Sequence, residues 1–232
     1  SGNNNVAMGY TALFNNTASN NTAVGYEAGF TNTSGRYLTA IGFQALRNST
    51  GDENTALGFQ ALFQNTTGIK NTSVGMQSMY YNLTGGGNTA LGESAMQNNT
   101  AGSNNTAIGK QSLFNNTASN NVAVGFEAGF TNTSGVGITA IGYQALRAST
   151  GNYNTALGGT SLLSNTTGER NTSVGFESLR FNTSGQYNTA LGFDSLYFNT
   201  TGSNNVGLGY ASLLNNTASN NTAVGYEAGF TN

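Results

Sequence analysis

Side chains able to do chemistry are sparse in this chain. It has no His and no Cys, which removes the commonest general base and any disulfide or thiolate metal site. Acidic and basic residues make up 7% of the 232 residues, against ~25% in an ordinary soluble protein. The formal net charge is -2, a balance that attracts neither nucleic acid nor an anionic membrane surface. The best-placed acids are Glu177 and Asp194, whose separation equals one repeat of the chain, so that stacking sets them on one face. They form a weak candidate cation site, because calcium normally takes six or more oxygen ligands. Asp52 and Glu53 are sequence neighbours and diverge on an extended backbone. Glycan cleavage needs carboxylates clustered across a bond, and the acids here are scattered, so the chain reads as a non-enzyme with no catalytic residue and no cofactor. Gly85-Gly86-Gly87 has no Lys after it and lacks the pattern of a phosphate cradle.

The aromatic residues are more regular. Tyr10, Tyr26, Phe43 and Phe59 recur at one place in successive repeats, and Phe176, Phe193, Tyr210 and Tyr226 do so again. Such a ladder is either a platform for sugar rings or a packing feature in the core or at an interface, and the second reading is favoured. Glu93, Lys110 and Gly159 stand at the same place, which argues against complete burial. Sequons at Asn32, Asn65, Asn71 and Asn182 follow from an Asn/Thr-rich turn by composition alone. A rank of turn threonines raises the question of ice binding, against which stand Leu83 and the uneven repeat length.

The element that positions all of these is a rung of 16 or 17 residues, typified by NTALGFQALFQNTTGIK from Asn54 to Lys70. Counting Asn54 as position 1, an aliphatic residue at position 4 precedes Gly at position 5. The aliphatics are Met8, Val24, Ile41, Leu57, Val74, Leu91, Ile108, Val124, Ile141, Leu157, Val174, Leu191, Leu208 and Val224. Fixed spacing of this kind is the signature of a solenoid. Position 2 is always Thr or Val, and position 3 is always small. This alternation, rich in β-branched residues, predicts a strand over positions 2 to 6, with the position-4 aliphatics as the structural core. Positions 8 and 9, usually Ala or Ser and then Leu or Met, suit either a short helical turn or a second strand. Gly29, Gly129 and Gly229 replace the position-9 aliphatic, and the Phe after each is expected to fill its space. Asn, Thr and Gly at positions 12 to 15 make a turn without proline. No Asn-Gly or Asp-Gly dipeptide occurs, which favours parallel coils over hairpins. In-register stacking also pairs Arg36 with Asp52, Glu53 with Lys70, and Glu93 with Lys110.

The expected fold is therefore all-β, a parallel β-solenoid or β-roll of fourteen rungs, with a short helical turn per rung as the open alternative. Six rungs form a super-repeat of 100 residues, since Leu13 to Gly35 nearly recurs at Leu113 to Gly135 and from Leu213 onward. The chain reads as one continuous array over residues 1–232. It opens at Ser1 and closes at Asn232 inside turns, as a window cut from a longer array would. No run reaches the ~18 apolar residues of a membrane span.

Asn-Thr-Ala-Val-Gly (21 to 25) and Asn-Thr-Ala-Ile-Gly (105 to 109) resemble the Ser-Val-Ala-Ile-Gly signature of head repeats in YadA-like trimeric autotransporter adhesins. They also resemble related arrays of phage tail-fibre and bacterial surface proteins. That resemblance implies a left-handed parallel β-roll, three chains packed together, and attachment to host surfaces. The present rung is longer than the family's and carries no coiled-coil heptads. A weaker likeness, through Ile141-Gly142-Tyr143-Gln144-Ala145-Leu146, is to bacterial surface leucine-rich repeats and implies the helical turn.

The resulting expectation is a structural segment of an extracellular fibre or appendage at a cell or virion surface. Its partner is the chain itself, end to end, laterally, or as the homotrimer that the resemblance implies. The alternative is a carbohydrate-binding adhesin, or a phage tail-fibre receptor-binding shaft, that meets surface glycans.

Overall fold

The structure, a computed structural model, describes residues 2–231. Ser1 and Asn232, assigned above to turns, lie outside the described residues. The chain falls into two compact units, residues 1–119 and 120–232, and each is a parallel β-solenoid. The first holds β1 (Val6–Met8), β2 (Thr22–Val24), β3 (Thr39–Ile41), β4 (Thr55–Leu57), β5 (Thr72–Val74), β6 (Thr89–Leu91) and β7 (Thr106–Ile108). The second holds β8 (Val122–Val124), β9 (Thr139–Ile141), β10 (Thr155–Leu157), β11 (Thr172–Val174), β12 (Thr189–Leu191), β13 (Val206–Leu208) and β14 (Thr222–Val224). Within each unit every strand pairs in parallel with the next, position 2 on position 2 and position 4 on position 4.

The strands are shorter than the sequence pattern predicts, covering positions 2 to 4 only. They stop because Gly at position 5 takes a conformation closed to other residues: Gly58 has φ +135, and a Cβ there would lie 2.7 Å from the carbonyl oxygen of Gly75. The following arc is neither a helix nor a second strand among the described residues. It is a run of turns in which positions 7 and 9 have positive φ, as at Gln60 (φ 53) and Leu62 (φ 51). For a residue such as Leu the left-handed region costs roughly 1 to 2 kcal/mol. Burial offsets this, because Leu62 is fully enclosed and such a side chain gains ~1.5 to 3 kcal/mol from leaving water. Neighbouring rungs also supply hydrogen bonds along the arc, from Leu62 N–H to Ser78 O at 3.0 Å and from Gln64 N–H to Tyr80 O at 2.9 Å.

The core lies on the side opposite to the one expected. Ala56 at position 3 is 0% exposed, whereas its neighbour Leu57 at position 4 is 45% exposed. The expected core is corrected throughout. Met8, Ile41, Leu57, Leu91, Ile108, Ile141, Leu191 and Val224 are exposed, and Val24, Val74, Val124, Leu157, Val174 and Leu208 are half-buried. The physical reason is the thinness of the coil. Strand and arc run so close that position 3 and position 8 admit little more than a methyl group, as Ala56 and Ala61 show, leaving one larger residue at position 9 to fill the remaining space. Where Ser195 and Ser212 enlarge position 8, position 3 shrinks to Gly207, whose Cβ would meet Ser195 Oγ at 2.7 Å. Phe30 does not fill the space vacated at Gly29. Leu13 of the preceding rung does, with its Cδ2 2.8 Å from where a Gly29 Cβ would be.

The other end of the core is polar. Asn54 (position 1) and Asn65 (position 12) are fully buried, and both donate Nδ2–H to the Gly68 carbonyl, at 2.7 and 3.0 Å. Each also bonds to a neighbouring rung: Asn71 N–H donates to Asn54 Oδ1 at 2.9 Å, and Asn82 Nδ2–H to Asn65 Oδ1 at 2.8 Å. Two asparagine ladders thus close the bend that proline would otherwise make. They are interrupted in compensating fashion: where position 1 is Leu38 or Ile138, position 12 is the smaller Ser49 or Ser149, and all four are buried. The extra residue of the longer rung is absorbed in this turn. In that rung Thr66 and Thr67 both donate their N–H to Leu83 O, and strand register is untouched.

Candidate interaction face

Because positions 3 and 8 face inward, positions 2, 4 and 6 form the outer face of each unit: a Thr/Val rank, an aliphatic rank and an aromatic rank. In the first unit the rings of Tyr10, Tyr26, Phe43 and Phe59 stack in sequence, with centroids 5.4, 5.1 and 5.2 Å apart and planes within 13°. In the second, Phe176, Phe193, Tyr210 and Tyr226 stack at 5.6, 5.5 and 5.1 Å. The structure therefore brings together both blocks of the aromatic ladder read from the sequence, each within its own unit, and sets them in solvent, not in the core. Stacked aromatic pairs add ~0.5 to 1.5 kcal/mol each beyond the area they bury, so the ladder also steadies the rungs. Its rings cover one another's faces and present edges outward. A sugar platform needs open ring faces, and consecutive rungs leave none between them. At Gly159 the ladder has a gap, across which the Phe176 ring lies, 3.2 Å from where a Cβ would be. Glu93 and Lys110 close the first block's rank with an ion pair at 3.0 Å.

A second ladder at position 10 escaped the sequence reading. Phe14 and Phe30 stack at 5.5 Å, as do Phe63 and Tyr80 at 5.0 Å. Between them the Arg47 guanidinium sits over Phe30 and Phe63, 5.2 and 5.8 Å from the ring centres. Glu27 Oε2 accepts from Arg47 Nε–H at 2.6 Å and from Gln44 Nε2–H at 2.8 Å. Those bonds, the one from Arg47 first, hold the Glu27 carboxyl below its ordinary range. The second unit repeats the arrangement with Glu127, Arg147 and Phe130. The available signal was the recurrence of Phe, Tyr and Arg six residues after the aliphatic, which alternation with Gln and Leu obscures.

Glu177 and Asp194 are adjacent, as their spacing requires. Glu177 Oε1 accepts a short hydrogen bond from Arg180 Nη1–H, so it is engaged in an ion pair. Burial and, after it, the charge of Glu177 push the Asp194 carboxyl up from its ordinary value. Asp194 Oδ1 is buried without a hydrogen-bond partner among the described residues. No group of three or more His, Cys, Asp or Glu side chains suited to a metal occurs among the described residues. Of the three stacked charge pairs, Arg36–Asp52 closes at 3.3 Å and Glu93–Lys110 as given above. Glu53 and Lys70 make no ion pair among the described residues. The amide nitrogens of Asn32, Asn65, Asn71 and Asn182 are all enclosed in the polar corner and donate to glycine carbonyls, out of reach of any glycosyl donor in the folded chain.

The chain matches no family model, no curated protein and no solved structure. Its own geometry is what bears on function, and the outer face is its most distinctive feature. Parallel sheets are ordinarily covered on both sides, and contiguous exposed apolar surface ordinarily marks an interaction site.

Proposed function

We propose that this chain is a non-enzymatic structural segment of an extracellular fibre or surface appendage, and that its copies pack side by side through the outer aliphatic and aromatic ranks. The observation that carries this reading is the regular exposure of those ranks: Leu57, Phe59 and Leu91 are each more than two-fifths exposed, Leu57 and Leu91 lie on strands in unbroken register, and Phe59 follows its strand by two residues. A second copy offers the same repeat and so meets the rank rung for rung, whereas a globular partner matches it over a few rungs at most. The resemblance to surface-adhesin head repeats points the same way. The adhesin alternative is weaker, because the ladder rings shield one another's faces.

Sedimentation velocity over a concentration series tests the proposal. The wild-type chain is expected to associate as concentration rises, and the folded double variant Leu57→Ser/Phe59→Ser to associate much less. A wild-type chain that stays monomeric throughout would overturn it.

A further inference from the structure

The outer face carries one rank that side-by-side packing does not use. We propose that the position-2 threonines of the first unit, Thr22, Thr39, Thr55, Thr72, Thr89 and Thr106, form an ice-binding rank.

Four properties on this face meet what a crystalline water surface requires. The first is spacing. Each of these threonines is the direct Cα partner of the next, so they repeat at the ~4.8 Å separation of paired strands, close to the oxygen repeat along one axis of hexagonal ice. The alternation of rung length does not disturb this rank, because the extra residue is taken up in the turn.

The second is hydroxyl availability, which separates this rank from the other threonine rank of the chain. At position 13 the hydroxyls are already engaged: Thr50 Oγ1–H donates to Thr66 O and Thr66 Oγ1–H to Leu83 O, both at 2.7 Å. Among the described residues none of the six position-2 hydroxyls bonds to a protein group, and all six side chains are exposed or half-buried. They are free to take places in a water lattice.

The third is rigidity. Thr, like the Val and Ile beside it at position 4, is β-branched and stiff at χ1, so little side-chain freedom is lost on docking to a crystal. The fourth is the lack of charge: positions 2 and 4 hold only Thr, Val, Ile, Leu and Met in this unit. No ion on either rank organises its own hydration shell in competition with ice.

This inference does not rest on lateral packing, since a single copy presents the rank. Association is read separately by sedimentation, so either proposal can fail while the other stands. The test is thermal hysteresis and inhibition of ice recrystallisation by the full chain. The wild-type chain is expected to open a hysteresis gap and to arrest recrystallisation. Thr72→Lys/Thr89→Lys, and the uncharged pair Thr72→Ala/Thr89→Ala, are expected to lose most of that gap while keeping the wild-type circular dichroism. Thr67→Lys, on the turn, is expected to retain it. Ice growth indistinguishable from that in serum albumin overturns the assignment. So does full hysteresis in the folded Ala pair, or equal loss in a folded Thr67→Lys.

Discussion

Two kinds of column run along this protein, one of asparagines and one of aliphatics, and they have opposite fates. The asparagine ladders at positions 1 and 12 are sealed inside; the aliphatic column at position 4 faces outward, exposed or half-buried. In a wide core the reverse would hold, since burying an amide is unfavourable unless each of its polar atoms is bonded. The coil eases that penalty because the next rung repeats the same amide one strand spacing away, so Asn82 Nδ2–H donates to Asn65 Oδ1 and Asn99 Nδ2–H to Asn82 Oδ1, while the Gly68 and Gly85 carbonyls each accept from the amide of their own rung. The aliphatic rank has no such route inward, because the space opposite β4 admits only Ala56 and Ala61. In a thin solenoid, room decides burial before polarity does.

The largest expected effect comes from the glycine column that ends the strands. Gly58→Val places a side chain into the Gly75 backbone at a φ of +135, combining steric overlap with backbone strain, a class of change that exceeds ~4 kcal/mol. Chemical denaturation should show a large loss of stability, and limited proteolysis should show new cleavage around that rung. A silent substitution would mean that the glycine column is not the close contact that ends the strands.

A paired comparison sets the two ladders directly against each other. Asn82→Ala removes bonds to Asn65 Oδ1 and Gly85 O and strands the Asn99 amide that donates to Asn82 Oδ1 at 2.6 Å. Its expected cost is about 2 to 4 kcal/mol, from buried groups left unbonded. Ile141→Asp, which would be ruinous in a core, should cost no more than about 1 kcal/mol, because Ile141 is 39% exposed and the change lies on the solvent side. Equilibrium urea unfolding of both variants gives the ranking, and the reverse order would restore the aliphatic rank to the core.

The smallest effect concerns Asp194. Its folded carboxyl titrates above the ordinary value of 3.8, so the fold favours the protonated form. The stability contributed by this group is greatest in acid and declines as pH rises from the unfolded value through the folded one. Asp194→Asn should therefore be slightly more stable than wild type at neutral pH, within the ~0.5 kcal/mol typical of surface changes, with the advantage vanishing in acid. Glu27 carries the opposite sign: its lowered carboxyl stabilises the fold above the unfolded value, and that contribution is lost as pH falls. Melting temperatures of wild type and Asp194→Asn across this range separate the two. A constant difference at all pH values would mean that burial and Glu177 do not govern the group.

Much of this protein follows from its sequence alone. A recurrence of 16 or 17 residues fixes a stack of rungs, and the Thr, small, aliphatic, Gly order fixes where each strand lies and in what register. The stacking of Tyr10 on Tyr26, or of Glu93 against Lys110, then follows from spacing. Tertiary structure decided which face points inward, because the pattern Thr55-Ala56-Leu57 is equally regular read from either side. The usual preference for burying Leu assumes a core wide enough to hold it. The invariant smallness of position 3 was the visible clue, but its meaning depends on the distance to the arc at position 8, and no single rung states that distance. The arc itself, with Leu62 in a left-handed conformation that its type disfavours, exists because burial and inter-rung hydrogen bonds outweigh local preference. The same cause leaves the position-2 hydroxyls open to solvent while those at position 13 are engaged: a side chain's freedom is set by the rung above it.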